Sequence, residues 1–158
     1  MTTTTQSSVD GAPQWIPAYE PLPSVLIVSQ LVRKPQPTGK KEDETKLFYT
    51  VEVEAPFRSD NITFGFCNLA VKEELEERSV VEFSATYVFA VKSDQDIFRG
   101  EQYKIIAEQQ VKAAVWPRFR DLVAYTASQA QLDLPMLPSE PGEIRVNLEQ
   151  KGPPPAST

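Results

Sequence analysis

The sequence contains no histidine and a single cysteine, Cys67. Without histidine there is no Ser-His-Asp or Cys-His nucleophile and no imidazole acid or base. One thiol excludes a disulfide within the chain, and zinc sites built on His or paired Cys go with it. No apolar run approaches the ~20 residues that a membrane helix needs. The opening MTTTTQSSVDGAPQ lacks the basic and apolar regions of a secretory signal. Positive charge is in short supply too: 16 Lys+Arg stand against 22 Asp+Glu, a net charge of −6. No basic cluster is interleaved with aromatics, which argues against nucleic acid. These absences suggest a soluble, cytoplasmic chain that is not an enzyme, needs no cofactor or metal, and inserts in no membrane.

Length and composition suit one domain: 158 residues and 41% hydrophobic residues fill a single core. Residues 1 to 22 carry a Thr/Ser run and then Pro13, Pro17 and Pro21. They read as a flexible tail in which Trp15, Ile16 and Tyr19 are able to dock on the body. Residues 149 to 158 end in KGPPPAST and read as a disordered terminus. The folded unit is expected over residues 23 to 148.

Four stretches have strand character. Residues 24 to 34 are rich in β-branched residues with apolar side chains on both faces. LFYTVEVEA sets Leu47, Tyr49, Val51 and Val53 against Thr50, Glu52 and Glu54, with Phe48 as the exception on the outer face. Residues 62 to 71 alternate less cleanly. In the fourth, Val81, Phe83, Ala85, Tyr87, Phe89 and Val91 share one face. One-sided alternation belongs to antiparallel sheets with a packed face and a wet face. Residues 35 to 46 read as a polar loop that crosses over a neighbouring strand, and Ser59, Asp60 and Asn61 as a turn. Lys72 to Arg78 read as a charged hairpin end, with a short helix over 68 to 78 as the alternative.

After Asp96 the period changes to nearly four. Tyr103, Ile106, Ala107, Gln110, Val111 and Ala114 mark one helical stripe; Trp116, Phe119, Val123, Thr126 and Ala130 mark a second. The phase breaks between 114 and 116, and Pro117 stands there. Proline removes a hydrogen bond and disfavours helix in the residue before it, so a kink or restart is expected. The fold class is α+β: a four-stranded antiparallel sheet with a long broken C-terminal helix packed on one face.

The stretch after the helix is the most telling. In QLDLPMLP, Leu132, Leu134, Met136 and Leu137 are interleaved with Asp133, Pro135 and Pro138, so no further helix can form. Such a strap must lie on an apolar surface or cover one. AVWPRFRDLV, QLDLPMLP and VVEFSATYVFAV together resemble the SecB protein-export chaperones in the family's helix signature, its Leu/Pro lid and its fourth strand. The likeness spans about residues 24 to 138.

That resemblance implies an ATP-independent holdase that binds unfolded or partly folded polypeptides along hydrophobic grooves. It also implies a homotetramer, a dimer of dimers with long helices between two sheets. Many members deliver clients to the SecA translocation ATPase. On this reading Trp116, Phe119, Leu132, Leu134, Met136 and Leu137 are the client-binding candidates, with Trp116 and Phe119 equally able to be core between helix and sheet. Leu75 and Glu77 in KEELEER match the docking hairpin. The first strand departs from the family by ending in Arg33-Lys34, basic rather than acidic. Pro138, Pro141 and Gly142 interrupt the segment that builds the family's terminal helix. A dedicated adaptor, or a SecB-like chaperone serving a toxin–antitoxin system, is the alternative. Asp94 and Asp96 have no matching cluster, and an enzyme using Asp/Glu, Tyr or Lys is the weakest reading.

Overall fold

The computed structural model describes residues 18–34, 46–75, 78–94 and 100–148. Six strands make one sheet in the order β1-β5-β4-β2-β6, with β3 paired to β4. The long strands are β1 (Glu20–Arg33), β2 (Lys46–Val53), β4 (Ile62–Leu75) and β5 (Arg78–Lys92). They fall on the four stretches with strand character, and their pairings with one another are antiparallel. Two short strands correct the expected count. β3 (Phe57–Ser59) continues the line of β2 along β4 after Glu54, Ala55 and Pro56. β6 (Arg145–Val146) pairs with Glu52 and Val53 in parallel, so the sheet is mixed rather than purely antiparallel.

β1 begins at Glu20, inside the stretch read as tail, and carries Pro21 and Pro23. Prolines are tolerated there because β1 is an edge strand. Its register shifts twice, between Leu22 and Val25 and between Leu26 and Val28. Tyr19, just before it, packs against the core and donates its hydroxyl to Gln109 Oε1. Trp15, Ile16, the loop 35–45, Asp96 and the tail 149–158 lie outside the described residues. Leu75 pairs with Arg78, so strand continues where a short helix was the alternative. Asp60, in the two-residue turn between β3 and β4, has φ 54, a left-handed conformation that Asp tolerates better than most.

Alternation puts Cys67, Leu69 and Val71 of β4 on the packed face with Val81, Phe83, Ala85, Tyr87, Phe89 and Val91 of β5. The other face is less wet than expected, since Phe48, Phe57 and Phe66 are exposed on it. Gly65 fits the packed face only because it lacks a side chain. A Cβ there would stand 2.2 Å from the Phe89 ring and 2.8 Å from the Tyr103 hydroxyl. Those rings stack at 6.4 Å over the glycine, and Tyr103 Oη donates to the Glu54 carbonyl at 2.7 Å.

The helix is not broken at Pro117. α1 (Glu101–Gln110) passes through a π turn (Val111–Val115) into α2 (Trp116–Gln129), with Val111, Val115 and Trp116 all in right-handed helical conformation. Trp116 N–H donates to the Val111 carbonyl, five residues back. The wide turn supplies what the sequence asked for. It absorbs the phase step between the two stripes and eases the clash of a proline ring with the preceding turn. As a result Val111, Val115, Trp116, Phe119 and Val123 all face the sheet and are buried.

Candidate functional site

The site is built where α2 hands over to the strap. The helix ends in a Schellman motif: Gln131 N–H bonds the Ser128 carbonyl at 3.2 Å and Leu132 N–H bonds the Ala127 carbonyl at 2.8 Å. Gln131 holds φ 55, the position usually given to glycine. This cap turns the chain back along α2 as an extended segment without regular structure from Leu132 to Ser139. Two helix side chains then hold it. Trp116 Nε1 donates to the Pro138 carbonyl at 2.9 Å, and Arg120 Nε donates to the Leu137 carbonyl at 3.1 Å.

Between strap and helix lies a groove of about 430 Å³. Its walls include Val123, Ala124 and Ala127 from α2 and Leu132, Leu134, Met136 and Leu137 from the strap. Arg120, Asp121 and Ser128 add polar groups. All four strap candidates therefore come together on one surface, each in its own way. Leu137 is buried in the main core. Leu134 is half-buried and wedged between that core and a second cluster of Leu75, Val80 and Val81, which Leu132 also covers. Met136 is 84% exposed, the most exposed large apolar side chain of the described residues.

Trp116 and Phe119 are fully buried and do not line the groove. They form the floor beneath it, in an aromatic row where Tyr49 meets Trp116 at 5.5 Å, Trp116 meets Phe119 at 5.8 Å and Phe119 meets Phe83 at 5.8 Å. Of the two, Trp116 holds the strap through its indole N–H, and Phe119 packs beside it. Leu75 is buried beneath the strap rather than presented at a tip. Glu77 lies outside the described residues. The sequence reading missed Arg120 and Asp121 as groove residues. Both lie on α2, and the strap meets them because the chain folds back along that helix.

A second feature is the edge of β1, which pairs on one side only among the described residues. Val25, Leu26, Ile27 and Val28 are consecutive, apolar and 36% to 55% exposed. Edge strands normally blunt themselves with charge, yet no charged residue stands between Glu20 and Arg33.

Cys67 is buried, and burial pushes its thiol up to about 12. Burial likewise raises Tyr103 and Tyr87; at Tyr87 the Arg118 guanidinium pulls the other way and Asp121 adds to the rise. Arg118 also ties α2 to the bulge of β1, donating from Nη1 to the Ser24 carbonyl and to Ser24 Oγ at 2.9 Å. Among the described residues no group of three His, Cys, Asp or Glu side chains could hold a metal ion. No helix of the described residues is long and apolar enough to cross a membrane.

No family model matches the chain, and no curated protein matches it. Among solved structures it is similar to the SecB-like chaperone Rv1957 of Mycobacterium tuberculosis, determined in complex with a ChAD peptide from the Rv1956 HigA1 antitoxin. The TM-score is 0.55 at 16% identity, over 76% of this chain and 89% of that one. At that identity the likeness is one of fold: the chain has a SecB-like α+β architecture.

Proposed function

We propose that this protein is an ATP-independent chaperone that holds apolar segments of unfolded or partly folded polypeptides in the groove between α2 and the strap. The observation that carries this reading is the strap itself. It places an exposed Met136 and half-buried leucines over a buried aromatic floor, with backbone anchored at Leu137 and Pro138. Met is the most adaptable apolar side chain, and adaptability is what a surface for varied clients needs. The SecB-like fold of the neighbour supports the same class of function.

Burial of apolar surface supplies about 25 cal/mol per Å², and ordering a flexible client consumes much of it. A groove of about 430 Å³ takes only a few side chains. Useful affinity then comes from several grooves engaged by one client. The apolar edge of β1, unpaired among the described residues, supports such an assembly, because a second copy pairing along it would cover Val25 to Val28. We therefore read the working form as an oligomer, a dimer of dimers in the proposal, located in the cytoplasm.

A second reading is favoured by one observation: the structural neighbour is bound to an antitoxin peptide. On that reading the groove serves one dedicated partner segment. Delivery to SecA has weaker support, since Leu75 is buried and the first strand ends in Arg33-Lys34.

The deciding experiment compares one permanently unfolded, unrelated polypeptide with its native form, at moderate salt and without nucleotide. Preferential binding of the unfolded form establishes the holdase. Binding of neither, with capture of a single defined peptide, establishes the dedicated adaptor.

A further inference from the structure

Among the described residues Arg120 is the one cation lining the groove, and one hydrogen bond of its side chain is present. A guanidinium has five N–H donors. Arg120 gives Nε–H to the Leu137 carbonyl, and no further bond of this side chain is present among the described residues. The salt bridges of Arg145, to Glu52 and Glu143, do not touch it. Asp121, the next residue, lines the same groove, but no ion pair joins its carboxylate to Arg120 among the described residues. Arg120 instead reaches the strap.

The consequence concerns what fills the groove, and it rests on the reading of that groove as a client site. An apolar client segment closing over Val123, Leu134 and Met136 strips water from the half-buried guanidinium. Desolvating a charge is costly unless it is paired. A carboxylate meets the planar Nη1/Nη2 fork with two parallel hydrogen bonds, which an amide or an ammonium cannot do. We propose that the groove selects apolar segments flanked by an Asp or Glu side chain, with Arg120 as the residue that determines this specificity.

The chain as a whole pulls the other way. Its net charge of −6 favours basic ligands, so a preference for acid in the groove carries the mark of Arg120 and not of general electrostatics. The test uses acetylated and amidated peptides, which have no terminal charge, built on one Leu-Leu host. A single position, before the pair in one series and after it in another, is Glu, Gln or Lys. Binding to the full-length protein is read by fluorescence anisotropy. The expected order in at least one series is Glu, then Gln, then Lys, with Glu over Gln by roughly tenfold. Arg120→Gln should erase the step between Glu and Gln, and Arg120→Lys should keep part of it. Equal binding of Glu and Gln peptides in both series, or a preference that survives Arg120→Gln, overturns the inference while leaving the holdase reading intact. If the neutral Gln peptides fail to bind as well, the groove is not a client site and both readings fall. Should Arg120→Gln fail to fold, the peptide order in the natural protein decides alone.

Discussion

Trp116 and Arg120, one turn apart on α2, donate hydrogen bonds to consecutive carbonyls of the strap, those of Pro138 and Leu137. A helix presents residues four apart on one face, so two side chains suffice to clamp an extended segment that lies outside regular structure. The clamp is unequal. Trp116 is fully buried and belongs to the core, whereas Arg120 is half-buried and reaches the groove. Strap position is thereby coupled to core packing at one end and to the contents of the groove at the other.

Trp116→Phe tests the buried half of the clamp. The ring still fills most of the core space beside Tyr49 and Phe119, but the Pro138 carbonyl loses its donor. A hydrogen bond of this kind is worth about 1 kcal/mol net, and the smaller ring adds a cavity cost of similar size. The expected loss is about 2 kcal/mol in urea unfolding, with a larger rise in amide exchange at Leu132, whose N–H bonds the Ala127 carbonyl, than at Val123. Unchanged exchange along the strap would show that its position does not depend on the indole.

Met136 and Leu134 separate binding from folding. Met136→Asp places a charge at a position that is already in solvent, so stability should move by less than about 0.5 kcal/mol. Affinity for an unfolded polypeptide should drop severalfold. Leu134→Asp puts a charge between two apolar clusters and should cost several kcal/mol. Circular dichroism melts beside a binding assay distinguish the two. A Met136→Asp protein that binds clients normally would remove the strap from the site.

How much of this was legible beforehand follows from which interactions are local. Alternation in β2 and β5 is a period that the chain itself records, so those strands could be read directly. The strap could be read because its prolines forbid helix. β3 and β6 could not, since three- and two-residue strands carry no period and exist only by pairing with β4 and β2. Pro117 signalled a disturbance correctly, but the resolution into a π turn depends on the sheet burying Val111 and Trp116 together. Trp116 and Phe119 share the apolar character of the strap residues. Nothing in their neighbours says that they end up beneath the groove and not in its wall.

Gln131→Gly should stabilise the protein. Gln131 occupies the left-handed position of the Schellman cap at φ 55, where an L side chain costs roughly 1 kcal/mol. Glycine removes that strain and keeps both capping hydrogen bonds, at some cost in unfolded-chain entropy. The net expectation is a gain of about 0.5 kcal/mol and a small rise in Tm. Gln131→Val should lower Tm by more, because a β-branched residue fits this conformation worst. The reverse order of Gly and Val would show that the cap does not govern the end of α2.

Alkaline pH is where this fold should fail, and Cys67 sets the onset. Its thiol ordinarily titrates at 9.0 and is pushed up to about 12 by burial. Tyr103 and Tyr87 are raised above 10.0, first by burial. In each case the unfolded chain loses its proton at lower pH than the native one. The unfolded state then binds fewer protons, so stability falls as pH rises. The contribution is whole below about pH 9 and is lost as pH climbs through 12. With no histidine in the chain, no imidazole titration enters the range near pH 6.5. Urea midpoints measured from pH 6 to 11 should therefore be nearly flat to about pH 9 and then decline. Cys67→Ala should delay that decline toward pH 10, where the tyrosines take over. Native protein should also leave its thiol unmodified by a thiol reagent at pH 8, while urea exposes one equivalent. A midpoint that stays level to pH 11 in the natural chain would mean that these three groups reach solvent without unfolding.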